Sequence, residues 1–566
     1  MNATARSNQT LALLGDAYTS WSSLSTGSKL MTTFLGVVVT LVFGGCMVLL
    51  NAPLNAPHTK EVEALPGPKR PWGGWLLGNC IEIADHRDSL IHPTWAAAGA
   101  TGRYLSLFAQ ERIYTFDPAA TRYIFAHVDE FERPRDARTI LQRVMGKGSL
   151  VGVNGAVHKR QRRVMDPAFS TSAIKDMVPA MFDKADELEN LIQVLIDNNS
   201  YEKYASAIPP KDIDRVPGAR KIDMLGLMNR MTTDVIGRVF FGHDFDSIST
   251  PEGSIIVQAF DRMTNAAHEF APVTEAQNAV PLLDLIPMKN RREIDSCREL
   301  MGRISDDLVE KRKRTLGEDD KDLLALLINA NGSTREDQKM SDEEVRAQMA
   351  TLLFAGSTTT GATISSALHN LSQHPEFQRR LRAEVESVGE DKPSFETLNA
   401  LPFLDNVVRE TLRYTPPATC TAREAAKDTT LPLTWPVRGR DGSLIETLPV
   451  KKGSYFLICE EVWGPDANEF NPDRFDDPNM PLLSVPGVWG NVASFIVGPY
   501  SCIGYRLSIA EIKVVLFTVL RRFQFEELPS KPEVEYLSSL ATRPQVKGEP
   551  GGQLPLLVRP LAKEKQ

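Results

Sequence analysis

A short glycine-bordered loop with one cysteine, followed at once by a helical pattern, constrains this chain more than any other stretch. It spans residues 494–511, SFIVGPYSCIGYRLSIAE, and contains the pattern Phe495-x-x-Gly498-x-Tyr500-x-Cys502-x-Gly504. Apolar side chains then recur every three or four positions, which predicts an amphipathic helix over residues 505–522. The loop therefore places a single sulfur at the N-terminus of a helix.

A cysteine in this position is held where its thiolate is favoured. Backbone N–H groups point outward at a helix N-terminus, and the helix dipole stabilises an anion there. Gly498 permits a turn with positive φ, and Gly504 lets the backbone approach a flat partner closely. Such a thiolate is a good axial ligand for haem iron, and Phe495 would shield the sulfur from water. A buried structural cysteine is the alternative, which the fixed positions around Cys502 disfavour.

The loop resembles the haem-binding loop of the cytochromes P450, which usually reads Phe-x-x-Gly-x-Arg-x-Cys-x-Gly. The resemblance implies that Cys502 is the axial iron ligand and that Phe495, Gly498 and Gly504 contact the haem. The chain departs from the family at Tyr500, where an arginine usually meets a haem propionate. This departure weakens the propionate contact at that position and does not affect the thiolate.

Residues 30–50 form an uncharged, proline-free apolar segment, LMTTFLGVVVTLVFGGCMVLL. At about 1.5 Å per residue, a helix of this length crosses the hydrocarbon core of a bilayer. A cleaved signal peptide would have a shorter apolar core nearer the start, and a buried soluble helix is rarely apolar on every face. The segment therefore predicts a single membrane anchor.

Charges on the two sides of this segment predict its orientation. Basic residues are slightly more numerous after it than before it, which places the C-terminal side in the cytosol. The predicted organisation is a short lumenal N-terminus over 1–29, the anchor over 30–50, a proline-rich hinge over 51–74 and a catalytic domain over 75–566. The hinge resembles that of endoplasmic-reticulum members of the family. The triplets at Asn2 and Asn8 would then be lumenal glycosylation acceptors.

Composition narrows the classes of function. The net charge of −8 over 566 residues argues against a general nucleic-acid binder. No repeat or low-complexity linker interrupts the middle of the chain, so one large domain after the anchor fits best. The six cysteines are scattered without a Cys-x-x-Cys pair, which argues against a disulfide framework or a zinc site and predicts a reducing compartment.

A basic segment follows in the first half of the chain. His158 and Arg162 are four residues apart, so on a helix both can face a pair of carboxylates. In the family a Trp-x-x-x-Arg pair contacts a haem propionate here, and fungal members often have histidine first. The resemblance assigns Arg423 to a propionate as well. A solvated basic face, able to meet an acidic reductase surface, is predicted for Lys159, Arg160 and Arg163.

The predicted helix over 341–373 begins with a capping box of Ser341 and the glutamate three residues later. Its middle, AGSTTT over 355–360, is rich in poor helix formers, and threonine hydroxyls compete for carbonyls. We expect a polar notch that relays protons. The family reads Ala/Gly-Gly-x-Asp/Glu-Thr-Thr here, so Thr359 matches the proton-relay threonine. Thr358 replaces the acid, which permits chemistry other than oxygenation. An ordinary kinked core helix is the alternative.

Glu410 and Arg413 are three residues apart on the next predicted helix and can pair on one face. Arg474 can bring a second guanidinium to the same carboxylate. A surface ion pair, which contributes little to stability, is the alternative. In the family an equivalent Glu-x-x-Arg pair and a later arginine lock the core behind the cysteine loop, which implies a structural role for these three residues.

Hydrophobic periodicity and turn residues predict the remaining elements. Helices are predicted over 117–127, 221–241, 295–314 and 319–329. Strands are predicted over 104–108, 112–116, 537–542 and 554–558, with a hairpin over 431–455 that turns at Asp441-Gly442.

The resemblance covers about residues 66–560 and implies a mainly α cytochrome P450 fold with small β-sheets. It implies haem (iron protoporphyrin IX) as cofactor and insertion of one atom of dioxygen into a lipophilic substrate. Electrons would come from NADPH, not bound directly, through a membrane-bound cytochrome P450 reductase, with cytochrome b5 as a further partner. A haem-thiolate isomerase, dehydratase or peroxygenase stays open. So does a membrane haem-binding protein without catalysis, although the threonine run argues against it.

Family analogy also predicts a substrate pocket with few fixed charges. Its lining is predicted to include Phe354, Ala355, Ala418, Thr419, Ser539 and Leu540. Small and apolar side chains favour a small hydrophobic skeleton such as a terpenoid of specialised metabolism. A fatty acyl chain is the alternative substrate.

Overall fold

The fold is taken from a computed structural model. It describes residues 58–69, 78–79, 95, 98–106, 110–197, 211–268, 277, 288–317, 322–335, 337–459, 467–478, 485–537 and 540–561. The predicted anchor over 30–50, the predicted lumenal N-terminus with Asn2 and Asn8, and Ser539 lie outside these residues. No helix in the described part of the chain is long and apolar enough to cross a bilayer.

The described chain is mainly helical, as expected. Its helices are α1 (Lys60–Ala64), α2 (Pro118–Ala126), α3 (Arg135–Met145), α4 (Gly155–Met165), α5 (Thr171–Asp197), α6 (Met224–Phe241), α7 (Ile255–His268), α8 (Lys289–Lys313), α9 (Leu323–Gly332), α10 (Asp342–Gln373), α11 (Pro375–Glu386), α12 (Phe395–Asn399), α13 (Pro402–Tyr414) and α14 (Tyr505–Leu520).

Short strands make several small sheets among these helices. They are β1 (Thr101–Leu105), β2 (Glu111–Thr115), β3 (Phe131–Glu132), β4 (Arg220–Asp223), β5 (Cys420–Ala425), β6 (Thr429–Arg438), β7 (Leu444–Val450), β8 (Tyr455–Cys459), β9 (Phe523–Glu526), β10 (Val534–Leu537), β11 (Arg543–Val546) and β12 (Pro555–Pro560). The largest sheet has the order β1-β2-β8-β5-β3, and the others pair β6 with β7, β10 with β11, and β4 and β9 with β12.

The long helix α10 runs through the core and packs closely on α6. Its N-terminus carries the predicted capping box, in which Ser341 and Glu344 exchange side-chain and backbone hydrogen bonds. Gly361 makes the close approach possible, because a Cβ there would lie 2.4 Å from the Asn229 side-chain oxygen and 3.1 Å from its backbone nitrogen. The helix is buried on most faces, which suits a central element.

Several predicted boundaries differ from the structure. Residues 221–223, predicted as the start of a helix, belong instead to β4 because they pair with β12 near the C-terminus. The predicted strand over 537–542 is wrong: β10 ends at Leu537 and pairs with β11, and residues 540–542 connect the two strands. Tyr455 lies in β8 of the large sheet and not in the β6–β7 hairpin. In each case pairing with another strand decides the conformation.

The described part of the predicted hinge is docked on the domain. Thr59 caps α1, and its hydroxyl also donates to the Pro449 carbonyl at 2.8 Å. The backbone of Arg103 donates to the Pro66 carbonyl at 2.8 Å. These bonds join Thr59 and Pro66 to β7 and β1.

Candidate functional site

A cavity lies where α4, α6 and α10 meet the cysteine loop and the start of α14. The empty space between its lining residues is about 840 Å³, a volume that includes open solvent at its mouth. Its wall brings together many of the predicted residues: His158, Arg162, Ala355, Thr359, Phe495, Cys502 and Gly504. Residues separated by more than 300 positions in the chain therefore meet around one space.

The cysteine loop is held by its own backbone and by one neighbouring helix. The Cys502 N–H donates to the Phe495 carbonyl at 2.9 Å, which closes the loop into a compact turn. Gly498 has φ +82°, and a Cβ there would lie 2.5 Å from the Phe125 carbonyl oxygen, so both conformation and space require glycine. Gly504 is the N-cap of α14, which places the exposed Cys502 side chain just ahead of the helix N-terminus.

The same loop contains a strained residue. Ile496 has φ +59°, a left-handed conformation that β-branched side chains rarely adopt. Its N–H donates to the Ala493 carbonyl at 2.6 Å, and its carbonyl accepts from the Val488 N–H at 3.0 Å. Strain of this kind persists where the surrounding structure over-determines it, often at functional sites. Here it helps to present the segment that leads to Cys502.

Tyr500 is at the centre of a cationic cluster. Its ring lies 4.1 Å from the His158 ring, 4.4 Å from the guanidinium carbon of Arg133 and 5.6 Å from that of Arg423. Its hydroxyl accepts a hydrogen bond from the Gly155 N–H at 3.1 Å. Arg162 approaches the loop as well, donating to the Ser501 carbonyl at 2.6 Å. The residue that replaces the family's arginine is thus surrounded by cationic side chains.

The electrostatics of this cluster favour an anion. Burial, with the positive charges of Arg133, Arg162 and Arg423, lowers the pKa of His158 to about 3. Burial and the neighbouring Arg423 lower the pKa of Arg133 to about 9. The cluster's salt-bridging carboxylate, Asp166, is half exposed and pairs with Arg162 at the periphery. This set of donors fits a ligand that carries carboxylates along one edge, such as a haem with its two propionates.

Arg133 was not predicted from the sequence. It lies in the short connection between β3 and α3. A guanidinium just before a proline carries no local signature of anion binding. Its role becomes visible only when α4, β5 and the cysteine loop are brought beside it.

The threonine run does not loosen α10 as expected. The helix is continuous, and the hydroxyls of Thr358 and Thr359 donate to the carbonyls of Phe354 and Ala355, each at 2.7 Å. Thr359 lines the cavity, whereas Thr358 is not part of its wall. Because the hydroxyl proton of Thr359 is bonded within the helix, its oxygen is left as an acceptor for water or ligand.

A hydroxyl pair joins α10 to the helix after the cysteine. Thr360 Oγ1 lies 3.0 Å from Ser508 Oγ, and both residues line the cavity. Thr360 belongs to the threonine run noted in the sequence, whereas Ser508 was not singled out there. The pair extends the polar strip that begins at Thr359 towards α14.

The structure brings Glu410, Arg413 and Arg474 together. Arg413 makes two bonds of 2.8 Å to the two oxygens of Glu410, and Arg474 Nε donates to the same carboxylate at 2.9 Å. Glu410 is 0% exposed and Arg413 is 2% exposed, so this is a buried network and not a surface pair. Ser494 then ties it to the cysteine loop, because its hydroxyl donates to the Leu412 carbonyl on the same helix at 2.6 Å.

The predicted substrate residues occupy different places. Ala355 lines the cavity, but Phe354 packs edge-on against Phe260 in the core at 5.3 Å. Ala418 is exposed, Thr419 is buried and Leu540 is half-buried against the core. The cavity wall around Thr359 is nevertheless apolar. Its apolar side chains were not among the predicted substrate residues: Val151, Met165, Phe169, Ile236, Phe240 and Leu352.

The basic face of α4 is less solvated than expected. Arg160 pairs with the part-buried Glu344 of the α10 capping box at 2.6 Å. Arg163 forms a more exposed pair with Asp337 at 3.3 Å. Lys159 is exposed. Arg160 therefore fastens α4 to the start of α10.

Comparison with known proteins places these features in context. The family profile described as Cytochrome P450 matches residues 66–549. Cytochrome P450 monooxygenase 205 of Postia placenta is 36% identical over 527 residues, covering 89% of this chain and 93% of that protein. Ganoderic acid synthetase CYP5150L8 of Ganoderma lucidum is 31% identical over 524 residues, covering 83% and 89%. Cytochrome P450 monooxygenase claW of Ampulloclitocybe clavipes is 30% identical over 550 residues, covering 93% and 98%.

Proposed function

We propose that this chain, which belongs to the cytochrome P450 family and is a monooxygenase, oxidises a small lipophilic substrate of the terpenoid kind with electrons from NADPH. The observation that carries the proposal is the shared wall of one cavity, where Cys502, the cationic cluster around Tyr500 and Thr359 meet apolar side chains. The name of one relative, ganoderic acid synthetase, supports a role in specialised metabolism.

The family implies a haem-thiolate cofactor, and the residues present fit it. Cys502 would supply the thiolate, and Arg133, His158, Arg162 and Arg423 would hold the carboxylate edge. When bound, the haem supplies the activation of dioxygen, whose chemistry belongs to the cofactor and not to the protein. The chain's own part is to orient the group, exclude water from the sulfur and deliver protons.

Proton delivery falls to hydroxyls in this chain. Position 358 carries threonine where the family has an acid, so neither neighbour of Thr359 in the chain carries a carboxylate. The Thr359 hydroxyl donates to the Ala355 carbonyl, and its Oγ1 can accept a hydrogen bond from a water in the cavity. We assign the relay to Thr359 Oγ1, with the neighbouring Thr360 and Ser508 hydroxyls orienting water along the wall.

The distribution of charge in the cavity supports a lipophilic substrate. The charged side chains gather at the Tyr500 end, whereas Phe169, Ile236, Phe240 and Leu352 line other parts of the wall. A substrate with its own charge would be desolvated against these apolar groups at a cost in binding free energy. A hydrocarbon skeleton gains from the same burial. A fatty acyl chain would gain equally, so the size of the skeleton has to be tested.

The proposed setting is the endoplasmic reticulum membrane. Residues 30–50 would anchor the chain, with the catalytic domain in the cytosol beside NADPH-cytochrome P450 reductase and cytochrome b5. The exposed Lys159 of α4 offers one positive charge to an acidic partner surface. Deleting residues 1–50 should move much of the protein out of the membrane fraction, and carbonate extraction of the intact chain would contradict an anchor.

The experiment that tests the function is product analysis. The full chain is expressed with a cytochrome P450 reductase in yeast, and isolated membranes are supplied with terpenoid skeletons and fatty acids separately. We expect a product carrying one atom of labelled dioxygen, formed only when NADPH is present, and from terpenoids in preference to fatty acids. Product that forms without dioxygen would overturn oxygenation, and product from fatty acids alone would overturn the substrate class.

A further inference from the structure

Two cysteines face each other across neighbouring strands of the large sheet. Cys420 is the first residue of β5 and Cys459 is the last residue of β8, and the antiparallel register pairs them directly. Both are present as thiols. In the sequence they are separated by 39 positions and belong to no Cys motif, so only the strand register shows that they meet.

Cys420 and Cys459 occupy a position in the β5–β8 ladder at which the Cα atoms of the two strands are closest. At the far end of the ladder Ala425 N–H donates to the Ser454 carbonyl at 2.9 Å, and Gly453, with φ +88°, donates to the Ala425 carbonyl at 2.7 Å. Hydrogen-bonded and non-hydrogen-bonded pairs alternate along an antiparallel ladder. Counting back from Ala425 makes Cys420–Cys459 a non-hydrogen-bonded pair. The Cα atoms of such a pair are about 4.5 Å apart, within the range of about 4.4–6.8 Å that a disulfide spans.

The two side chains also lie on the same face of the sheet. Directly opposed residues in an antiparallel pair project to one side. Cys459 is part of an apolar cluster with Trp95, Tyr104 and Tyr114, and Cys420 packs against the same cluster. Cys459 is 0% exposed, whereas Cys420 is half-buried, so a small reagent reaches Cys420 first.

We propose that Cys420 and Cys459 form a peroxide-driven, reversible disulfide between β5 and β8. The Cys420 thiolate attacks one oxygen of hydrogen peroxide, which gives a sulfenic acid and releases hydroxide. The Cys459 sulfur then attacks the sulfenic sulfur, and the hydroxyl group leaves as water. In total two thiols and one peroxide give one disulfide and two waters. Peroxide is the oxidant, and it is reduced by the two electrons that the thiols lose.

The geometry predicts a labile bond and not a structural one. A disulfide with an accessible sulfur is more readily reduced than a fully buried one, and Cys420 is only half-buried. In a reducing compartment such a bond would form under peroxide and be reversed by cellular thiols. This agrees with the scattered cysteines, which argue against a permanent framework. The bond would tie the first residue of the strand that carries Arg423 to the end of its neighbour.

Peptide mapping tests the proposal on the full-length holoenzyme. The protein is treated with graded hydrogen peroxide, alkylated and digested with trypsin. Residues 414–423 and 453–474 are then separate peptides with one cysteine each. We expect a linked pair of these peptides, two hydrogens lighter than their sum, a loss of two alkylatable thiols per chain and recovery of both with dithiothreitol. The ferrous carbon monoxide band reports that the holoenzyme is intact.

Three variants make the result specific. Cys420→Ser and Cys459→Ala should each abolish the linked pair, whereas Cys297→Ala, which changes another buried thiol, should leave it unchanged. The proposal is overturned if Cys420 is converted to sulfinic acid without a link, if it links to a different cysteine, or if both thiols stay alkylatable in peroxide that oxidises other cysteines. The single variants distinguish these outcomes even if one of them folds poorly.

Discussion

The ring of Tyr500 lies 4.1 Å from the ring of His158, so the residue that replaces the family's arginine packs against the first donor of α4. Arg133 also stands over the Tyr500 ring, with its guanidinium carbon 4.4 Å from the ring centroid. The phenol carries no positive charge, and the charge at this edge of the cavity comes from elsewhere in the fold. We infer that Arg133 substitutes for the missing arginine in holding a carboxylate.

Arg133→Ala should therefore lower the haem content more than Tyr500→Phe does. Hydrogen bonds to charged groups are worth about 1.5–3 kcal/mol, so haem affinity should fall by about tenfold or more. Arg423→Ala should behave like Arg133→Ala. Haem per chain is measured from the pyridine haemochrome spectrum, with the exposed Arg135→Ala as the matched control. Equal haem content in Arg133→Ala and Arg135→Ala would contradict this assignment.

Cys502→Ser should remove the red-shifted absorbance band of the ferrous carbon monoxide complex. A serine hydroxyl at the same position cannot provide the thiolate that shifts this band. The spectrum is recorded on membranes that contain equal amounts of each protein. Cys297→Ala serves as the control, because its thiol is buried in α8 away from the cavity. If the band of Cys502→Ser stays at the wild-type wavelength, the assignment of Cys502 as the iron ligand is contradicted.

Thr359→Ala should still bind haem and substrate, but it should consume NADPH without forming a matching amount of product. Positioned proton transfer contributes typically about 10²–10⁴-fold, so product formed per NADPH should fall steeply while peroxide is released. Thr358→Ala should do less damage, because that residue is not part of the cavity wall. The ratio of product to NADPH consumed is the measurement. Wild-type coupling in Thr359→Ala would show that the relay lies elsewhere.

Glu410→Ala should destabilise the fold severely. It leaves the buried guanidiniums of Arg413 and Arg474 without their carboxylate, and breaking a buried pair typically costs about 3–5 kcal/mol. Thermal unfolding and the yield of holoprotein are measured. The control is Glu396→Ala, which removes an exposed pair with Lys175 and should change stability by about 0.5 kcal/mol or less. Similar midpoints for the two variants would refute a buried structural role.

Lowering the pH should destabilise the protein through His369. This side chain is buried, and its Nδ1 lies 2.8 Å from the Tyr536 hydroxyl; burial lowers its pKa to about 4. Below its unfolded pKa of about 6.5, the unfolded chain binds a proton that the folded chain does not. The free energy of unfolding then falls by up to about 1.4 kcal/mol per pH unit between pH 6.5 and 4.

The test compares thermal midpoints at pH 7.5 and 5.5. His369→Gln removes the titration, so its midpoint should fall less than that of the wild type over this interval. His127→Gln, at an exposed position, is the control and should follow the wild type. A wild-type midpoint that drops no more than that of His369→Gln would rule out this source of acid sensitivity.

Much of the site could be predicted because its parts are local. The cysteine loop, the capping box at Ser341 and the pairing of Glu410 with Arg413 each involve residues fewer than ten positions apart. Their hydrogen bonds form within one turn or one loop, so residue type and spacing are enough to indicate them. The same locality explains why helix α14 starts where the periodic pattern begins.

What the sequence alone indicated is therefore the chemistry: a cysteine before a helix, a threonine run in a long helix and a glutamate that can pair with an arginine three residues on. Only the tertiary structure decided which distant groups join that chemistry. Arg133 meets Arg423 around Tyr500, Cys420 faces Cys459, and residues 220–223 become a strand on β12. The physical reason is that strand pairing and charge clustering contribute free energy only when segments that are distant in the chain meet, so no local pattern records them.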